Sequence, residues 1–321
     1  MTKQALIEIP KPLDQLTATE IERKACIGKI MTYTLKSLTN TYVNKGFQWL
    51  LPVALSQSTD PLWPDPGASI EKRIEVDIYG KPVRTTASMI IHKLIAASTA
   101  YPKLFILSPN IRIEKAERAK TGRHIYEFTQ LDFEAQGACS KDIFALVEEA
   151  IVTLLRELKR EMKSELTTLC RYDSLKVPRV PFKIYDRVEL EAKYGKDWEA
   201  GITCEITEPV WVTNIPREFY DFEDFKTGKW DNYDLFLPQF GEVLSGAKRE
   251  YEYTKILTKI ERDQVKKENY SLILKMAKES RLKPTAGAGI GMERLVGWIA
   301  GVKHIAECQP FPRVPGNVNE L

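Results

Sequence analysis

Histidine is scarce: His92, His124 and His304 are the only three, and they are scattered along the chain. That argues against a His-ligated metal centre and leaves a hard cation held by carboxylates as the metal to expect. The five cysteines, Cys26, Cys139, Cys170, Cys204 and Cys308, form no CxxC. Odd in number and far apart, they read as reduced thiols of a cytoplasmic protein, with neither a zinc site nor a disulfide framework. No stretch approaches the ~18 apolar residues of a membrane span. The start, MTKQALIEIPKPLDQL, lacks the apolar core and small residues of a signal peptide. Charge surplus is missing as well. Lys and Arg total 47 against 44 Asp and Glu, a formal net of +3, too balanced for a chain that coats nucleic acid but compatible with a local basic cleft. There is no GxxxxGK[ST] phosphate loop, no internal repeat and no low-complexity linker.

What is present is a chain of 321 residues that is 43% hydrophobic and 10% aromatic, enough apolar material to exclude disorder over most of its length. Residues 1–18 read as an extended lead-in. Thr19 and Glu22 have capping-box spacing, and Ile27, Ile30, Met31, Thr34, Leu35, Leu38 and Tyr42 then form one helical stripe that stops at Gly46. Residues 47–55 read as an apolar strand whose Pro52 marks a sheet edge or an interface. A proline-rich loop covers 59–69, and a hairpin covers 71–85 with its turn at Tyr79-Gly80-Lys81-Pro82. Further on the spacing predicts a helix over 88–100, short strands at 104–107 and 111–114, and an alternating strand over 126–134. A long amphipathic helix follows over 142–166, then a helix capped by Asp186, and strands at 211–213 and 235–243. Residues 249–280 are largely helical, and a Gly-rich run at 287–291 enters a helix over 292–300. This mixture predicts an α+β fold, an antiparallel β-sheet flanked by helices, with 19–321 as a single domain.

Three segments concentrate chemistry. In IRIEKAERAKTGRHIYEFTQLDFE, Arg112 and Glu114 share one strand face and Ile111 and Ile113 the other. Downstream, His124, Tyr126, Phe128, Gln130, Asp132 and Glu134 take one parity, with Leu131 and Phe133 on the core-like parity. Such a face suits a nucleotide: arginine for phosphate, an aromatic to stack, a carboxylate to accept from an amine. An exposed charged hairpin has the same spacing, and the residues alone leave both open. In AGAGIGMER, Gly287, Gly289 and Gly291 bare one strand face, on which a flat ring can lie, and Arg294 follows in the first helical turn. A Gly-rich helix entry is the plain alternative. In YDLFLPQFGEVLSGAKRE, Asp234 and Glu242 are eight apart. They share a face if both lie on regular strands, where they could hold Mg²⁺; an ordinary hairpin with surface acids is the alternative. A fourth segment, SMIIHK, places Lys93 on a helix.

Together and in this order, the segments resemble class II aminoacyl-tRNA synthetases of the aspartyl/asparaginyl branch. Gly46-Phe47 through Pro52 looks like motif 1, the dimer segment; Arg112 through Phe128 looks like motif 2; Gly287 through Arg294 looks like motif 3. The runs TDPLWPDP, SMIIHK, LSPNIRIE and GRHIYEFTQLDFE are similar above all to the stand-alone archaeal asparagine synthetase-like relatives of asparaginyl-tRNA synthetase. With the first helix at Thr19 there is no room before it for an anticodon-binding barrel, so tRNA is not the expected partner.

The resemblance implies a homodimer formed through the first helix and the Pro52 segment. It implies an ATP-dependent, AMP-forming ligase that activates aspartate as β-aspartyl-adenylate, from which ammonia releases asparagine. The competing implication is a truncated synthetase paralogue that transfers an activated amino acid to tRNA or to a protein. Thr2 in place of Cys, and no Cys–His pairing suggested by the sequence, make free ammonia the nitrogen donor. Carried over residue by residue, Arg112 grips the α-phosphate, Glu114 reads the adenine amine, and Phe128 and Arg294 sandwich the ring over Gly289 and Gly291. Arg123 and His124 hold the distal phosphates. Asp234, Glu242 and Ser245 surround Mg²⁺, and Arg112, Glu242 and Arg294 are the catalytic set. Lys93 and Arg249 bind the substrate carboxylate that is not activated, with Ser88 nearby, and Gln130 and Asp132 meet the α-ammonium. One departure is Ile305-Ala306-Glu307, where the synthetases tend to carry a central arginine.

Overall fold

The strand at Glu127–Gln136 lies inside an eight-stranded sheet and is covered on both faces. The computed structural model describes residues 7–59 and 70–318; most of the expected proline-rich loop, 60–69, and the first six residues of the lead-in lie outside them. The strands of the large sheet are β1 (Gln48–Leu50), β2 (Lys103–Ile111), β3 (Glu127–Gln136), β4 (Lys183–Asp186), β5 (Val210–Thr213), β6 (Asn232–Leu237), β7 (Gly241–Lys248) and β8 (Thr285–Gly291). Their order across the sheet is β1-β2-β3-β8-β7-β6-β5-β4. All neighbours run antiparallel except the outermost pairs, β1 with β2 and β5 with β4, which are parallel. The fold is therefore α+β, with a mainly antiparallel sheet.

One face packs against three helices. These are α1 (Ala18–Asn44), α3 (Ser140–Glu161) and α4 (Met292–Ala300), while α2 (Ile90–Ser98) covers the other face. The core joins Ile27, Ile30, Leu38 and Tyr42 of α1 and Val147, Ile151 and Leu154 of α3 to Leu131 and Phe133 of β3. Burying such side chains contributes roughly 1.5–3 kcal/mol apiece. On the α2 side, Ile91 and Leu94 join Phe219, Tyr220, Ile256 and Ile260 in a second cluster. Lys93, on the same helix, is buried between the helix and the sheet.

Several boundaries differ from the spacing. The cap of α1 is Thr17, not Thr19: Thr17 Oγ1 accepts from the Glu20 N–H, and the Glu20 carboxylate accepts from the Thr17 N–H at 2.8 Å. Both pairs have the same S/T-x-x-E spacing, so the motif does not choose between them. Gly46 does end the helix, at φ +80°. The span 47–55 holds two short strands, β1 and Leu55–Ser56, rather than one. The strands at 104–107 and 111–114 are instead one strand, β2, running through Pro109, followed by a short strand at Ile113–Glu114. Proline is tolerated because β1 covers β2 only at 104–106, so β2 is an edge beyond that point. The helix expected over 142–166 breaks at Met162 (φ −116°, ψ 32°) and resumes at Lys163–Thr168. The run 235–243 is a hairpin, the end of β6 and the start of β7, rather than one strand. Tyr79 and Gly80, both at positive φ, turn the hairpin between Glu75–Ile78 and Lys81–Thr85 as the spacing predicts.

Candidate active site

The site rests on one row of the sheet. Register sets Asp234 of β6 beside Ser245 of β7, Ser245 beside Gly289 of β8, and Gly289 beside Asp132 of β3. Cross-strand neighbours share a face, and Ser245, Gly289 and Asp132 of this row line a cavity of about 280 Å³. Every residue expected in the site lines that cavity except Asp234, which stands behind Arg217.

At one end, Arg112 Nε donates to Ala87 O at 3.1 Å and its guanidinium lies 5.1 Å from the centre of the Phe128 ring. Arg294 Nη1 donates to Glu242 Oε2 at 2.7 Å, and Arg123 Nη2 donates to Glu242 O at 3.0 Å. Arg123 fits because Gly241 has no Cβ: one built there would lie 2.5 Å from Arg123 Nη1. Glu114 is buried on the cavity wall. His124 is pushed down to about 3, first by burial and then by Arg294, Arg118 and Arg123. It is therefore a neutral ring at pH 7. Its Nε2 accepts from Arg118 at 2.8 Å, so Nδ1 carries the proton and donates to Thr121 Oγ1 at 2.6 Å. His124 thus supplies no charge of its own and fixes Arg118.

At the other end, Lys93 Nζ donates to Asp132 Oδ1 and to Ala288 O, both at 2.9 Å. Asp132 Oδ2 accepts from Ser108 at 2.6 Å, and Gln130 Oε1 accepts from Asn110 at 2.9 Å. Ser88 is buried beside them, its Oγ accepting from the Ile90 N–H. Arg249 Nη1 donates to Asp221 Oδ1 at 2.6 Å and its Nε to Glu134 Oε1 at 3.2 Å. The two cations singled out in the sequence are thus already opposed by three buried acids, Asp132, Glu134 and Asp221. The glycines of β8 make room for this set. A Cβ on Gly289 would lie 2.8 Å from Asp132 Oδ1, and one on Gly287 would run into Phe133 O and Glu134 Oε2.

Asp234 and Glu242 reach the same region by a route that parity did not describe. They lie on two strands of a hairpin, and a bulge between the Leu235–Leu244 and Phe236–Glu242 pairs returns Glu242 to the cavity face. Asp234 accepts from Arg217 Nη2 on both oxygens, at 2.6 and 2.5 Å, and Ser245 Oγ accepts from Arg217 Nη1. Burial pushes Asp234 up to about 7 against the pull of Arg217, whereas Glu242 is held below its usual range, the attraction of Arg294, Arg123 and Arg217 outweighing burial. The expected Mg²⁺ donors therefore divide. Glu242 faces the cavity as a carboxylate and fits a hard cation; Asp234 and Ser245 are taken by a guanidinium. Among the described residues no group of three or more His, Cys, Asp and Glu is placed to hold a metal.

Arg217, Asp221 and Glu293 belong to the site and were not assigned roles from the sequence. The first two lie on an irregular segment with no period to read. Glu293 sits inside the glycine motif, where its carboxylate accepts from the Thr129 N–H at 3.0 Å.

Comparison with known proteins places the chain in a family. Asparagine–tRNA ligase of Thermoplasma acidophilum is 25% identical over 305 residues, 89% of this chain and 68% of that protein. That of Koribacter versatilis is 28% identical over 91% of this chain and 69% of its own length. That of Thermococcus kodakarensis is 31% identical over 70% of this chain and 56% of its own length. Asparaginyl-tRNA synthetase from Pyrococcus horikoshii, solved with asparaginyl-adenylate, superposes with a TM-score of 0.81 at 23% identity, over 97% of this chain and 75% of that one; at that identity it shows the fold. The family model for tRNA synthetases class II (D, K and N) matches residues 70–315, so the chain belongs to the class II tRNA synthetases of the D, K and N group.

Proposed function

We propose that the protein is an ATP-dependent, AMP-forming ligase that activates aspartate as β-aspartyl-adenylate and passes it to ammonia, releasing asparagine. The observation that carries this reading is the pair Lys93 and Arg249, both buried at the cavity end away from Arg294. Two fixed cations there favour a substrate with an acidic side chain over a basic one. Asp132, Glu134 and Asp221 outnumber them, and the surplus negative charge offers a place for an ammonium group.

At the other end, Phe128 supplies a face for the purine and Glu114 an acceptor for its amine. Arg112 neutralises charge building on the α-phosphate as the aspartate carboxylate oxygen attacks phosphorus and pyrophosphate leaves. Arg294 lies against the other face of the purine, and Arg123 meets the leaving phosphates. Mg²⁺ accompanying ATP would be held at Glu242, where it would screen phosphate charge. Holding both reactants in line lowers the barrier by an amount on the order of 7 kcal/mol or more. In the second step ammonia attacks the acyl carbon, AMP departs with the bonding pair, and a proton is released. The reading includes a homodimer through α1 and the Pro52 segment, supported by Trp49 and Leu51, which are 54% and 88% exposed there.

A second reading, transfer of the activated amino acid to tRNA, is supported by the names of the relatives. One experiment separates them: incubate the protein with ATP, Mg²⁺ and aspartate, with ammonium, with tRNA, or with neither. Ammonium-dependent asparagine and AMP support amide synthesis. AMP with aminoacylated tRNA and no free asparagine supports the second reading and sinks the first.

A further inference from the structure

Arg217 sits between two of the three oxygen donors expected for Mg²⁺. Asp234 and Ser245 are cross-strand partners, one carboxyl and one hydroxyl oxygen donor. A hard cation takes such a donor pair. Here a guanidinium takes it, with both Asp234 oxygens on Nη2 and the Ser245 hydroxyl on Nη1. The guanidinium is a permanent, planar cation whose fork matches a carboxylate.

The arginine is held there by its backbone. Two residues before it, the Ile215 N–H donates to Asn232 Oδ1 at 2.9 Å and Ile215 O accepts from Asn232 Nδ2 at 2.6 Å, clamping the segment to β6. After it, the Asp221 N–H donates to Glu218 O at 3.1 Å, and the Phe222 N–H donates to Lys248 O at 2.9 Å, tying the chain to β7. Arg217 therefore leaves a segment pinned on both sides, and its side chain bridges two strands. Asp234 is 8% exposed behind it, so an ion reaching Asp234 has to displace the guanidinium first.

We propose that Arg217 takes the place of a divalent cation between Asp234 and Ser245. Glu242 is then the carboxylate left to face the ion that travels with ATP, and the protein supplies the second positive charge itself. The inference rests on the ATP reading above.

The test counts ions with Mn²⁺ as the probe, by electron paramagnetic resonance, on the full chain saturated with the α,β-methylene analogue of ATP. S245A removes only a hydroxyl and D234N only a charge. Each is expected to leave the number and affinity of bound Mn²⁺ within twofold of the unaltered protein. R217A is expected to gain one further Mn²⁺, or to bind at least tenfold more tightly, and the double variant R217A/D234N to lose that gain. Loss of an ion in S245A or D234N overturns the inference, because the ion then displaces Arg217. So does an R217A protein with no gain. If R217A does not fold, S245A decides alone. Nucleotide binding is followed in parallel by calorimetry. Failure of the analogue to bind overturns the ATP reading, whereas bound analogue with a Ser245-dependent ion overturns only the role of Arg217.

Discussion

Lys93 Nζ lies 2.9 Å from Asp132 Oδ1 and 3.8 Å from Glu134 Oε2, and all three side chains are buried. The lysine comes from a helix over the sheet and the acids from the strand beneath it. Each charge is tolerated only because the other is present; removing one partner of such a pair typically costs about 3–5 kcal/mol. A substrate carboxylate entering here joins an existing network, and its affinity depends on how well it shares Lys93 and Arg249 with the acids that hold them.

Arg249→Lys keeps the charge and loses the fork that spans Asp221 and Glu134. We expect the KM for aspartate in ATP–pyrophosphate exchange to rise on the order of 100-fold, a loss of roughly 2.7 kcal/mol of hydrogen bonding to charged groups. The Kd for ATP, measured by calorimetry, is expected to stay within about twofold. A comparable loss of ATP affinity would place Arg249 on the nucleotide instead.

Phe128→Ala removes the face over which Arg112 lies. Stacking of a base on an aromatic ring is worth about 1–3 kcal/mol, so the Kd for ATP is expected to weaken by roughly 10- to 100-fold, with the KM for aspartate little changed. A selective effect on aspartate would contradict the assignment of the two ends of the cavity.

Burial raises Glu293 from its ordinary 4.5 to about 7. Between those values the folded chain holds a proton that the unfolded chain has lost. Its contribution to stability is therefore fully present below pH 4.5 and is lost as pH rises to 7, by an amount on the order of 3 kcal/mol. Glu293→Gln keeps an acceptor for the Thr129 N–H without the titration. In urea unfolding the variant is expected to gain stability relative to the unaltered protein between pH 5 and pH 8. Parallel pH profiles for the two proteins would show that Glu293 is not the titrating group.

Thr17→Ala deletes the cap of α1. The expected loss is about 1 kcal/mol in chemical unfolding, whereas Thr19→Ala, two residues further in, is expected to change stability by a few tenths at most. Equal losses would mean that the helix starts where the spacing first suggested.

Much of the site was legible because it lies on regular strands. The alternation of Phe128, Gln130 and Asp132 against Leu131 and Phe133 assigns faces from residue type alone, and the structure keeps that assignment. The bare face of Gly287 and Gly289 was legible as well, and Gly289 lines the cavity. The same space also admits atoms of the neighbouring strand, the Asp132 carboxylate beside Gly289 and the Phe133 carbonyl and Glu134 carboxylate beside Gly287. Glu242 faces the cavity for a reason that period-2 counting cannot supply, since a bulge adds one residue and flips the face. Arg217 and Asp221 were missed because the segment that carries them has no period, and its shape follows from hydrogen bonds to β6 and β7 made across the chain.

The sequence by itself determined the α+β class, the helix and strand segments with strong periodicity, and which strand residues turn away from the core. Those are local properties, set by backbone geometry and by the cost of burying polar groups over a few residues. Only the tertiary structure decided who pairs with whom: Lys93 with Asp132, Arg249 with Glu134 and Asp221, Arg217 with Asp234. These pairs join residues 17 to 115 positions apart, and Coulomb attraction acts through space, strongly once water is excluded, with no regard for order along the chain.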